Sequence, residues 1–72
     1  MIDLGWELLG ASYLDLNAVD KALHAFLHAL SIRPNRHSIH IALSECYRRL
    51  GDVQRASDHV EKAKWLQLNR KE

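Results

Sequence analysis

The sequence predicts an all-α fold made of two tandem antiparallel helix-turn-helix hairpins. Three observations carry that prediction. The chain matches itself when shifted by 34 residues, its apolar residues recur at helical spacing, and turn-forming residues break that spacing at equivalent places. The shift brings Leu9 onto Leu43, Tyr13 onto Tyr47, Leu16 onto Leu50, Val19 onto Val53, Ala22 onto Ala56, Ala29 onto Ala63, Asn35 onto Asn69 and Arg36 onto Arg70. Most of these residues are apolar or small, the types that set how closely helices pack.

The first helix is predicted over about 4–16, where Trp6, Leu9, Tyr13 and Leu16 fall three or four apart and so share one face. Asn17 ends it, and Gly51 stands at the same place in the second repeat. Asn and Gly are the residues that most readily adopt the left-handed conformation after a helix. The second helix, about 20–32, carries Ala22, Phe26, Ala29 and Leu30 on one face. Asp20 is its predicted cap, and Pro34 with Asn35 its stop. The repeat then predicts helices over about 38–50 and 54–68.

Seventy-two residues allow one small domain, residues 1–72, near the lower size limit for a self-sufficient core. With 47% hydrophobic and 26% charged residues, a packed chain is expected and not a disordered one. Ten basic residues are interspersed with nine acidic ones for a net charge of +1, which asks for neither nucleic acid nor an anionic membrane. No apolar run reaches the roughly 20 residues of a membrane span, and Met1 is followed by Asp3 and Glu7 where a signal peptide would be basic and then apolar. A soluble cytoplasmic chain is the expectation. Cys46 is the sole cysteine, so no internal disulfide can form.

Trp6, Leu9, Gly10, Tyr13, Ala22, Phe26, Ala29 and Pro34 fall at the spacing of the tetratricopeptide repeat signature, and the chain resembles that family over nearly its whole length. Repeat one covers about 3–36. Repeat two, about 37–70, keeps Leu43, Tyr47, Ala56 and Ala63 but has His40 for the Trp, Ser44 for the Gly, Val60 for the Phe and Leu68 for the Pro. The resemblance implies helical hairpins wound into an α-α superhelix, with Gly10, Ala22 and Ala29 small where helices approach and Trp6, Tyr13 and Phe26 filling between them.

No catalytic constellation is present: no nucleophile elbow, no Gly-rich phosphate loop, no separable pair of carboxylates. His24 and His28 lie four apart, a metal-compatible spacing, but no third ligand shares their face. They and His37 with His40 read as surface histidines, so no metal or other cofactor is expected. Cys46 reads as buried and inert. The expected role is therefore a scaffold or adaptor that binds a protein or peptide and is not an enzyme.

The resemblance places the partner-binding surface on the first helix of each repeat, which here shows Leu4, Glu7, Ala11, Leu14, Ser38, Ile41, Glu45, Arg48 and Arg49. One subgroup of the family grips a C-terminal carboxylate with Lys and Asn. The matching places here hold Glu7, Ala11 and Ala42, so that clamp is missing. Arg48 and Arg49 read as a solvated helix end near a negative helix terminus.

The last helix is expected to bury Ala56, Val60, Ala63 and Leu66. Trp65 lies about 200° around the helix from Ala63, beside Asp58, Glu61 and Lys62. Trp65 and Leu68 thus form an apolar C-terminal interface awaiting another chain, and about three repeats are usually needed to bury a continuous core. Homo-oligomerisation through this helix is the alternative role. RNA binding, open to helical-hairpin repeats in general, is disfavoured by the balanced charge.

Overall fold

The structure is a computed structural model and describes the backbone of residues 3–68 and the side chains of residues 5–68. The Leu4 side chain and the pairs made with Asn69 and Arg70 lie outside that description. Four helices follow one another: α1 (Asp3–Asp15), α2 (Val19–Ile32), α3 (His37–Arg49) and α4 (Val53–Leu68). Each boundary is within one residue of its expected place.

Both hairpin turns are built alike. Asn17 sits at φ 60° and Gly51 at φ 84°, and the backbone then closes on the preceding helix. Ala18 N–H donates to Tyr13 O at 2.8 Å, and Asp52 N–H donates to Tyr47 O at 2.8 Å. Bonds from Asn17 to Leu14 O and from Gly51 to Arg48 O complete two Schellman turns, which satisfy the last carbonyls of α1 and α3.

Asp20 is not the cap of α2. The Schellman turn finishes at Ala18, so the helix restarts at Val19 with Ala18 at its N-cap and no side-chain bond there. Asp20 falls in the first turn, where its charge still meets the positive end of the helix. In the second repeat the residue equivalent to Ala18 is Asp52, and it does cap: Oδ1 accepts the Arg55 backbone N–H at 3.2 Å while Oδ2 pairs with Arg55 Nη1 at 2.7 Å.

Packing runs in chain order, α1 on α2, α2 on α3 and α3 on α4, with α1 touching α3 lightly. The core joins Ala22, Phe26 and Ala29 of α2 to Ile39, Leu43 and Cys46 of α3. Burying Phe26, Ile39 and Leu43 contributes about 1.5–3 kcal/mol each. Gly10 is buried against Phe26: a Cβ there would lie 2.7–2.9 Å from the ring, so only glycine lets α1 approach this closely.

The aromatic filling is less complete than the signature implies. Phe26 is buried and Tyr13 half-buried, but Trp6 is 37% exposed and stacks on His28 with ring centroids 4.3 Å apart. On α4, Ala56 and Ala63 are buried as expected, whereas Val60 and Leu66 are only half-buried.

Candidate functional site

The first helices of the two hairpins, α1 and α3, lie side by side, and polar contacts tie their ends together. Glu7 of α1 accepts Arg36 Nε at 2.8 Å through Oε1 and Ser38 Oγ at 2.8 Å through Oε2. At the other end Arg49 Nη1 donates to Leu14 O, in the last turn of α1, at 3.2 Å. A cation there also meets the negative helix terminus, as expected for Arg49, though the terminus belongs to the neighbouring helix.

Glu45 is shared by two guanidiniums. Arg48 Nη2 and Arg49 Nε reach its Oε2 at 2.6 and 2.7 Å, and Arg48 Nε reaches Oε1 at 3.2 Å. The hydrogen bonds from Arg48 and then Arg49 hold its carboxyl below the usual glutamate range. Arg48 and Arg49 are therefore paired, not simply solvated.

The electrostatic result is asymmetric. Glu7 pairs with Arg36 at one end of the face, while at the other Arg48 and Arg49 share the single carboxylate of Glu45. Apolar residues from the same set lie on both helices: exposed Ala11 and half-buried Leu14 on α1, and Ile41, 49% exposed, on α3.

Two further surfaces stand apart from this face. On α4, Trp65 is 57% and Leu68 84% exposed, and the Lys62 ammonium lies 5.4 Å from the Trp65 ring centroid. Between α1 and α2 a groove of about 480 Å³ is lined by Trp6, Leu9, Tyr13, Lys21, His24 and His28 among others. The sequence had placed Trp6 and Tyr13 in the core and missed this groove.

With that geometry in view, comparison with known proteins adds one finding. Residues 5–36, spanning α1, α2 and the link to α3, match the family model of the tetratricopeptide repeat. Over those residues the chain is similar to a tetratricopeptide repeat. Repeats of this family are generally protein–protein interaction modules, and the four helices are consistent with two in tandem. No curated protein and no solved structure matches the chain.

The second hairpin departs from the tetratricopeptide signature in ways its packing explains. Ser44 stands where the first repeat has Gly10, and Val60 where it has Phe26, so a larger residue on one helix accompanies a smaller one on the other. Ser44 satisfies its hydroxyl by donating to Ile41 O at 2.6 Å.

His40, at the tryptophan position, was expected on the surface with His37. It is instead 5% exposed, and His37 is half-buried. The burial is possible because both ring nitrogens are satisfied. Nε2–H donates to Pro34 O at 2.8 Å, which leaves Nδ1 to accept from His59 Nδ1–H at 3.0 Å. Tyr47 also stacks on His59, with ring centroids 5.6 Å apart. Burial first, and the His40 ring second, push the His59 pKa down.

His24 and His28 are exposed as expected. Among the described residues no three His, Cys, Asp or Glu side chains are grouped to hold a metal ion, and no helix is long and apolar enough to cross a membrane. Cys46 is fully buried, and burial raises its thiol pKa.

Proposed function

We propose that residues 1–72 act as one protein-interaction domain with no catalytic chemistry of its own, holding a protein or peptide along the α1–α3 face. The observation that carries this reading is the pairing pattern on that face. Glu7 and Glu45 are already engaged by arginines, Ile41 is left half open, and two turns further along α3 two guanidiniums share one carboxylate. A peptide with an apolar side chain for Ile41 and a carboxylate for Arg48 fits that pattern. The missing Lys and Asn clamp speaks against a partner held by its C-terminal carboxylate alone.

The test is a selection of short peptides from a random library, with each selected peptide then measured by fluorescence anisotropy against wild type, Ile41→Asp and Arg48→Glu. Enrichment of acidic and apolar peptides whose affinity drops about tenfold or more in each variant is expected, the worth of one desolvated contact. Peptides that bind all three proteins equally would refute the assignment. The balanced charge supports neither nucleic acid nor membrane as the partner.

A second reading has its own observation behind it. Trp65 and Leu68 expose a large apolar area on α4, which supports self-association through that helix.

A further inference from the structure

α4 is held by small apolar side chains. The main core joins α2 to α3 and draws no side chain from α4, which among the described elements packs on α3 alone. The residues that α4 buries fully are Ala56 and Ala63, and Val60 stands where α2 has Phe26. To this modest apolar area a relay of hydrogen bonds is added. Pro34 O, in the link between the hairpins, accepts His40 Nε2–H of α3 at 2.8 Å, and His40 Nδ1 accepts His59 Nδ1–H of α4 at 3.0 Å.

The relay works in one protonation state of His40. Pro34 O fixes a proton on Nε2, so Nδ1 must stay bare to accept. A first added proton, on His59 Nε2, leaves the His59 Nδ1–H donor in place but sets a charge among partly buried, stacked rings. A second, on His40 Nδ1, brings two N–H groups face to face, and the bond is lost. Once α4 has left α3, both imidazoles are free to take up protons below about pH 6.5.

The surroundings do little to neutralise that charge. On α4, Asp58 favours a protonated His59, while Arg55 lies over Tyr47 and pairs with Asp52, and Lys62 stands one turn on. On α3 the neighbours are Tyr47, stacked on His59, and His37, one turn before His40. The link carries Arg33 and Arg36 on either side of Pro34. The ionisable residues of α2, Asp20, Lys21, His24 and His28, line the groove shared with α1 instead. Burial and the His40 ring outweigh Asp58, which is why the His59 pKa is lowered.

We propose that the His40–His59 pair is an acid-released latch, and that protonating both rings frees α4 from α3 while α1, α2 and α3 stay packed. This release is independent of what the α1–α3 face binds.

Amide hydrogen exchange, read residue by residue between pH 7 and pH 5 and corrected for the intrinsic effect of pH, tests the latch. In wild type the protection of α4 is expected to fall by more than about tenfold per pH unit at its steepest, because two protons are taken up on opening and one proton allows at most about tenfold. Protection of α1 and α2 should change far less. His40→Trp combined with His59→Ala copies the Trp6 and Ala25 pair of the first repeat and removes both titrating rings, so its α4 protection should hold steady. If that variant loses helicity by circular dichroism, His59→Gln takes its place and should show a slope of no more than about tenfold. Loss of protection in all four helices together overturns a local latch. A wild-type slope of tenfold or less, or a variant as steep as wild type, overturns the two-proton assignment to this pair.

Discussion

Replacing Gly10 and Gly5 by alanine, one at a time, should move stability in opposite directions although both lie in α1. At Gly5 an added Cβ meets nothing within 4 Å. Gly5→Ala then acts through backbone entropy and should gain about 0.5–1 kcal/mol, the lower end being expected so near the helix start. At Gly10 the same methyl would lie 2.7, 2.8 and 2.9 Å from Phe26 Cε1, Cζ and Cδ1. The ring cannot retreat, because Phe26 is 2% exposed and its neighbours Ala22 and Ala29 are equally enclosed.

Overpacking of this kind costs about 1–3 kcal/mol, which the helix-propensity gain of about 1 kcal/mol offsets only in part. Gly10→Ala should thus be destabilised by up to about 2 kcal/mol. In a domain of this size 1 kcal/mol moves Tm by about 4–8 °C, so the two variants should be resolved in thermal melts followed at 222 nm. Equal stabilisation by both would refute the close approach of α1 to Phe26.

Three other outcomes follow from the same structure. Gly51→Ala should lose about 1 kcal/mol in the same melts despite open space around it, because its φ of 84° is one that alanine rarely adopts. The His59 pKa is lowered on folding, so between that value and the ordinary 6.5 the unfolded chain binds the proton and the folded one resists it. Stability should be fully present above about pH 6.5 and fall as the solution is acidified below it. His59→Gln keeps a donor for His40 Nδ1 without a titrating ring, and should flatten that slope in urea titrations between pH 5 and 7. Cys46 should react with a thiol reagent only at the rate at which the chain opens, and at full speed in urea; rapid labelling of the native protein would contradict its burial.

Much of the fold was legible in the sequence because the repeat states each rule twice. Asn17 and Gly51 mark the same turn, and the apolar spacing before each gives the helix its length and face. Trp65 was legible as exposed from its helical angle alone. The errors came from contacts that spacing does not encode. His40 was read as a surface residue because it is polar, and its burial depends on Pro34 O and on His59, which lies 19 residues away. The cap of the fourth helix went unseen because the first repeat has Ala18 where the second has Asp52.

The inner face was legible as a set of residues but not as a charge pattern. Glu7 finds Arg36 and Ser38 across 29 and 31 residues, and Arg49 reaches Leu14 O across 35. Those pairings leave Glu7 matched to Arg36 at one end and two arginines sharing Glu45 at the other. The α1–α2 groove escaped for a related reason. The signature assigns Trp6 and Tyr13 to packing, but how exposed they are depends on which helices stand in front of them.

Peptide binding at the α1–α3 face is the central claim, and a nitrogen–proton correlation titration tests it most directly, with uniformly labelled protein and the best peptide from the library selection. The account predicts amide shifts concentrated at Ala11, Ile41 and Arg48, and their loss in Arg48→Glu. Shifts confined to other helices, or saturation of the Arg48→Glu variant at the wild-type concentration, would contradict it.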